Sequence, residues 1–356
     1  MFLVISCPCA LVISIPLGYF GGIGAASKAG ILFKGSNFLD QMRELDTVVM
    51  DKTGTLTQGV FAVRQVQPAA GLDAPRLLRL VGALETKSTH PIAKAVVLHA
   101  GAAIAGVPVE NVEEISGHGM RGRVDGRDVL AGNTKLLTKF GVAYPAEVDQ
   151  IVDSIVVAAV DGQYAGYLTV ADAPKEDAAR TVRELRADGI TKIVMLSGDK
   201  DSITQRVARE LGIDEAHGGL LPEDKARYVQ EYKDAGRKLA FVGDGVNDAP
   251  VVALADVGIA MGGLGSDATI ETADVVIQTD HPSKIATARR ISRATHTVVW
   301  QNIWLAFIVK GIVLVLGAGG RATMWEAVFA DVGVALLAIL NAMRIQRMDF
   351  TSKSAS

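Results

Sequence analysis

Charge is distributed very unevenly along this chain, and that unevenness limits what it can fold into. No charged side chain occurs from Met1 to Ser27. Thr297–Gly320 carries one, Lys310, and Met324–Met343 carries two, Glu326 and Asp331. A helix needs about 20 mostly apolar residues to cross a bilayer, so each stretch is long enough. The first lacks the charged start of a signal peptide, and its Cys7-Pro8-Cys9 is foreign to a cleaved segment. We expect transmembrane helices over 1–27, 295–320 and 323–345, with a tail over 346–356. Lys28, Lys34 and Arg43 follow the first stretch; Arg289, Arg290 and Arg293 precede the second; Arg344 and Arg347 follow the third. Positive flanks stay inside, so the long middle and the tail are expected in the cytoplasm. The expected location is a multi-pass protein of a bacterial plasma membrane.

The middle of the chain reads as globular. Net charge is -3 and the pI is about 6.1, which gives no reason to expect a nucleic-acid partner. The two cysteines form one C-x-C, which builds no disulfide framework. "TVVMD" (47–51), "KIVMLSGD" (192–199) and "LAFVGDG" (239–245) share a shape, an apolar run closing on Asp. "VGIAM" (257–261) and "VVIQT" (275–279) are further buried-strand candidates. Helical spacing of apolar residues recurs over 175–188, 201–212 and 222–236. Strands alternating with helices predict a parallel, Rossmann-like α/β sheet. Ligands of such sheets sit beyond the carboxyl ends of the strands, where Asp51, Ser197, Asp199 and Asp244 fall.

Between Gly59 and Val170 the pattern changes. Two Asp-Gly pairs flanked by strand-like runs predict hairpins, and helical runs precede them. This predicts an α+β domain, 59–170, inserted into a sheet domain formed by 28–58 and 171–290. "GHGMRG" (117–122) fits G-x-G-x-x-G, but it precedes a hairpin and not a helix, so a dinucleotide site is not expected there.

"DKTGT" (51–55) and "GDGVNDAP" (243–250) together are highly specific. On them the chain resembles, over essentially its whole length, the heavy-metal P-type ATPases of the zinc/cadmium/lead-exporting branch. The resemblance implies a haloacid-dehalogenase-like phosphorylation domain with an inserted nucleotide-binding domain. It implies ATP and Mg²⁺ as cofactors, the bilayer as surroundings and a divalent metal ion as cargo. Asp51 is then the nucleophile that attacks the γ-phosphate. Asp51, Asp244 and the carbonyl of Thr53 hold Mg²⁺, and Asp248 orients that shell. Lys225 neutralises phosphate, Ser197 and Gly198 bind it through hydroxyl and amide, and Asn247 joins the network. Lys52 and Asp199 complete the catalytic set. Serine at 197 departs from the family's more frequent threonine and keeps the hydroxyl. In the inserted domain Glu85, His90, Gly117, Gly119 and Asn133 match the ATP-binding pattern. Taken singly, a His-Pro pair reads as a helix start and the glycines as turns. Related phosphatases carry an acid/base Asp two residues after the nucleophile. That place is Thr53 here, so an aspartyl phosphate should persist.

Lys310 and Asp331 lie inside apolar stretches, where an uncompensated charge costs roughly 2.5–3.5 kcal/mol. A pair between them is expected. With Cys7 and Cys9 they resemble the transport site of the zinc/cadmium/lead branch, and thiolates plus one carboxylate suit such ions. Pro8 would open the helix beside the thiols. Copper pumps share Cys-Pro-Cys but usually carry Tyr-Asn and Met/Ser groups in the last two spans, which are not found here.

The Thr-Gly-Glu loop of the actuator domain and the earlier spans are not recognised in the sequence. The expectation is therefore a C-terminal portion of a metal exporter, with a separate chain as one source of the missing parts. Two other readings are a phosphatase of the same superfamily, and a non-pumping membrane metal-binding remnant or split-pump subunit. Thr53 and the apolar stretches oppose the first of these.

Overall fold

The computed structural model describes residues 9–244, 248–262, 267–321 and 324–350. It divides into two compact units, Thr57–Lys175 and the remainder of the chain. Elements are numbered along the chain. α1 (Cys9–Lys28) leads into β1 (Ile31–Phe33), α2 (Asn37–Glu44) and β2 (Thr47–Asp51). Every residue of β2 is buried, as a central strand covered on both faces requires.

The inserted unit follows. It contains β3 (Thr57–Pro68), α3 (Ala74–Glu85), α4 (Pro91–Ala100), β4 (Val109–Ile115), β5 (Gly119–Val124), β6 (Arg127–Gly132), α5 (Thr134–Lys139), β7 (Ser154–Val160) and β8 (Gln163–Pro174). Its antiparallel sheet runs β3-β8-β7-β6-β5-β4. The two Asp-Gly turns are real. Asp125 and Gly126 take φ of 50° and 75°, Asp161 and Gly162 take 51° and 77°, as a two-residue hairpin turn demands. Alternate residues serve opposite faces. Val129, Val156 and Ala158 join Leu77, Leu80 and Val96 of the two longer helices. Leu130, Val157 and Ala159 join Leu136, Leu137 and Val148. The unit's limits, Thr57 and Lys175, lie two residues before and five beyond the span 59–170 read from sequence.

The chain then resumes the first sheet. α6 (Ala178–Ala187), β9 (Lys192–Leu196), α7 (Asp201–Leu211), β10 (Glu215–His217), α8 (Pro222–Asp234), β11 (Leu239–Gly243), α9 (Ala249–Leu254), β12 (Val257–Met261), α10 (Asp267–Thr272) and β13 (Val275–Ile277) follow in order. The strand order is β1-β13-β12-β11-β2-β9-β10, parallel except for β1 against β13. β2 sits between β9 and β11, so the ends of three adjacent strands present Asp51, Ser197 and Asp244 at one edge of the sheet.

α11 (Ser283–Ala318) has 36 residues, about 54 Å at 1.5 Å per residue. Its first turns belong to the sheet unit. Arg289 is 3% exposed and donates to the carbonyls of Met42 (3.3 Å), Leu45 (2.6 Å) and Asp188 (3.1 Å). These are carbonyls at the carboxyl ends of α2 and α6, which have no partner within their own helices. The division between 290 and 295 read from sequence therefore falls inside one unbroken helix, whose buried surroundings change while its backbone does not. Ala10–Lys28 and Ser283–Ala318 are long and apolar enough to cross a membrane. The third apolar stretch is divided into α12 (Met324–Val328), a π-helical turn (Phe329–Gly333) and α13 (Val334–Met343).

Candidate functional site

Asp51 ends β2 with 6% exposure. The Lys225 ammonium on α8 donates to Asp51 Oδ1 at 2.5 Å and to Asp248 Oδ1 at 2.9 Å. Asp244 follows β11, and one oxygen each from Asp51, Asp244 and Asp248 lie within 4.8 Å of one another. Burial pushes the Asp51 carboxyl above its usual range; Lys225 opposes that, while Asp248 and Asp244 add to it. Burial would lower the Lys225 pKa, but Asp51 and Asp248 outweigh it and raise it. Three carboxylates against one ammonium is a donor set that suits a hard divalent cation.

The turn after Asp51 explains the glycine of the motif. Gly54 has φ of 72°, and a Cβ there would overlap the Asp244 carboxylate. Only glycine allows both the left-handed backbone and that approach. Thr53 is exposed, with φ of -76° and ψ of 131°. The Thr55 hydroxyl is buried and has no hydrogen-bond partner among the described residues. It was not among the expected site residues, although it stands in the same motif. Ser197 is 1% exposed and its hydroxyl accepts the Asp199 amide at 3.1 Å, with Gly198 between them. Lys52, 2% exposed, pairs with Asp199 at 2.7 Å. Asn247 lies outside the described residues.

In the inserted unit Glu85, His90, Gly117, Gly119 and Asn133 all line one pocket of about 270 Å³. Glu114 and Met120 line it too and were not anticipated. Glu85 closes α3 with 6% exposure. Burial, reinforced by Glu114, pushes its carboxyl up to about 7. His90 does the plain work of a helix start as well, its Nδ1 accepting the Ile92 amide at 3.2 Å. Asn133 caps α5 through the Leu136 amide (3.2 Å) and donates to the Gly117 carbonyl (2.9 Å), holding the glycine turn in place. Gly119, with φ of 143°, packs directly on the backbone of Ala131 and Gly132, where a side chain would collide.

Among the apolar helices Lys310 and Asp331 pair at 3.3 Å, each side chain 13% exposed. Asp331 lies in the π-helical turn, a feature frequent at functional sites. Ala10 packs with Ala306, Val334 and Ala335. Those residues lie one helical turn from Lys310 and Asp331, so the residue next to Cys9 is within about 5 Å of the pair's level along the helices. Cys7 lies outside the described residues, and Cys9 is described only as the first residue of α1.

The model of the haloacid dehalogenase-like hydrolases matches residues 45–256. A cadmium, zinc and cobalt-transporting ATPase of Bacillus subtilis (strain 168) is 52% identical over 351 residues, 98% of this chain and 50% of that protein. A zinc-transporting ATPase of Synechocystis is 53% identical over 98% of this chain and 48% of its own length. A crystal structure of a zinc-transporting PIB-type ATPase in the E2·Pi state superposes with a TM-score of 0.87 at 37% identity, covering 96% of this chain and 57% of that one. The catalytic domain of the CPx-ATPase CopB-B is 30% identical, with a TM-score of 0.55 over 97% of its length. The chain belongs to the heavy-metal-transporting P-type ATPases, within the haloacid dehalogenase-like hydrolases.

Among these P-type ATPases the chain spans about half the length of the curated relatives it matches. The likeness to the zinc-transporting pump extends over the sheet unit, the inserted unit and the apolar helices together, since it covers 96% of this chain.

Proposed function

We propose that this chain carries the phosphorylation site and part of the ion path of an ATP-driven exporter of Zn²⁺, Cd²⁺ or a similar divalent ion such as Pb²⁺. The observation that carries the reading is the buried Asp51–Lys225–Asp248 cluster beside Asp244, in the same compact unit as the Lys310–Asp331 pair. ATP binds in the inserted unit against Glu85, His90, Gly117, Gly119 and Asn133. Asp51 attacks its γ-phosphorus, the bond to the bridging oxygen breaks and ADP leaves, so Asp51 becomes an aspartyl phosphate. Lys225 holds the transferring oxygens while the Ser197 hydroxyl and the Gly198 amide bind them. Lys52 orients Asp199 and so the Ser197 loop. Asp51, Asp244 and the Thr53 carbonyl would hold Mg²⁺, positioned by Asp248, and the ion would offset the repulsion between carboxylate and phosphate. Asn247 is assigned to the same network.

Thr53 offers no base to activate water, which favours a lasting phosphoenzyme over phosphatase chemistry. Completing the cycle takes a water-positioning loop from outside this sequence, on the same polypeptide or on a partner chain. Cys7, Cys9 and Asp331 bind the ion, and Lys310 balances charge and assists release. Three membrane spans with cytoplasmic catalytic units follow from the flanking Lys and Arg residues.

The test is incubation of the purified chain with γ-labelled ATP and Mg²⁺. Label is expected on the unsubstituted chain and not on Asp51→Asn. Label surviving in Asp51→Asn overturns the nucleophile assignment.

A further inference from the structure

The aim of Lys225 depends on how α8 is held: Val229 is its one buried apolar side chain, with Ala226, Tyr228 and Tyr232 packed part-buried on the same core. Of the thirteen residues of α8, Lys225 and Val229 alone are buried. Lys225, Tyr228 and Tyr232 are spaced i, i+3 and i+7, so they share one face of the helix. At the start of that face Lys225 reaches Asp51 and Asp248. Further along, the two tyrosines meet β10.

There one carboxylate gathers partners from three elements. Glu215 Oε1 accepts from the Tyr232 hydroxyl at 2.6 Å and lies 2.7 Å from His217 Nε2. Glu215 Oε2 takes the Lys192 ammonium of β9 at 2.6 Å. The His217 ring stacks on Tyr228, with centroids 4.2 Å apart and planes 23° apart. Lys192 also stands 4.7 Å from the centroid of the Tyr232 ring. Burial alone would raise the Glu215 carboxyl, but the hydrogen bonds from Lys192, Tyr232 and His217 hold it down at about 2. The carboxylate is therefore charged throughout the working pH range.

The same strand and the residues after it are hydrogen-bonded to the loop after β9 that carries Ser197. The His217 carbonyl accepts the Ser197 amide (2.9 Å), Gly219 donates to Asp199 (2.5 Å) and Leu220 donates to Ser197 (3.1 Å). β10 pairs with β9 over only three residues at the sheet edge. A strand this short gains much of its definition from side chains. The Glu215 network thus ties α8 to β10, while the backbone ties β10 to the Ser197 loop.

We propose that Glu215, with His217, Tyr228 and Tyr232, is a positioning bracket for Lys225. It fixes the ammonium against Asp51 and so sets the rate at which Asp51 is phosphorylated. The rate consequence rests on the phosphoenzyme reading above; the placement of Lys225 does not. These four are positioning residues, acting through Lys225 and the Ser197 loop.

The deciding experiment is amine acylation of the full chain in detergent, with labelled lysines mapped by mass spectrometry. Lys310 is the internal control, because it is 13% exposed, paired with Asp331 among the apolar helices and shares no partner among the described residues with the bracket or the Ser197 loop. Glu215→Ala combined with Tyr232→Phe is expected to acylate Lys225 about tenfold faster while Lys310 stays protected. Tyr228→Phe keeps the ring on His217 and is expected to leave Lys225 protected; Tyr228→Ala is not. An unchanged Lys225 rate, or an equal rise at Lys310, overturns the bracket. In ATP labelling the double variant is expected to slow phosphorylation at saturating ATP about tenfold, with the half-saturating ATP concentration unchanged. A fall in ATP affinity instead of rate contradicts the bracket. Lack of label on the unsubstituted chain overturns the phosphoenzyme reading, and the acylation ratio still decides the placement of Lys225.

Discussion

Asp51 and Glu85 are each 6% exposed, yet their surroundings differ. Asp51 has an ammonium 2.5 Å away and a second carboxylate bridged by the same lysine. Among the described residues no cation pairs with Glu85, and the group that acts on it is another carboxylate, Glu114. Burial pushes both carboxyls up, but in the sheet unit the raised carboxyl belongs to a cluster with an ammonium and further carboxylates, a set that suits a divalent cation. The inserted unit stores a carboxyl that passes between neutral and charged near pH 7, able to donate or accept a hydrogen bond from a neutral part of a ligand. The difference lies in the counter-ion, not in the depth of burial.

Removing the counter-ion should have the largest effect. Lys225→Met leaves Asp51 and Asp248 without their ammonium, and breaking a buried pair costs about 3–5 kcal/mol. Calorimetry should show that loss, and part of it should return in Lys225→Met with Asp51→Asn. If the double variant is no more stable than the single one, the charge account of this site is wrong.

The Glu85 side of the comparison is sharpened by pH. Its folded pKa lies above the ordinary carboxylate value, so the folded state holds the proton longer than the unfolded state. Stability from this group is complete below about pH 4.5, falls as pH rises to about 7, and is constant above. The shift from 4.5 to about 7 corresponds to roughly 3 kcal/mol. Glu85→Gln should flatten the decline in unfolding free energy across that window. A decline of unchanged size in Glu85→Gln contradicts a buried, uncompensated carboxyl.

The Lys310–Asp331 pair resembles the Asp51 site in having its counter-ion, but it lies among apolar helices. Lys310→Met should lower thermal stability by about 1 kcal/mol, with partial recovery on adding Asp331→Asn. Independent, additive effects would mean that the two do not act as a pair.

What the sequence revealed and what it hid divide along physical lines. The ends of β2, β9 and β11 were legible because each buried run stops at a polar residue. The hairpins were legible because Asp-Gly pairs suit a positive φ. Pairing of Lys225 with both Asp51 and Asp248 was not, since it joins residues 174 and 23 positions apart through the order of the sheet. Burial of Glu85 at a helix end, and Glu114 beside it, depends on how a six-stranded sheet meets α3 and leaves no periodic trace. β1 escaped notice because three residues are too few to show a pattern. The continuity of α11 was hidden because the change of residue type at 290–295 reports a change of surroundings and not of backbone. The π-helical turn at Asp331 is likewise a matter of hydrogen-bond register, which residue type does not report.

The most direct test of the central claim is to locate the phosphoryl group itself. The chain is incubated with labelled ATP and Mg²⁺, quenched in acid and digested, and the label is assigned to a peptide. The account predicts label on the peptide containing Asp51, lost on treatment with hydroxylamine as an acyl phosphate must be. Hydroxylamine-resistant label, or label on any other peptide, would contradict it.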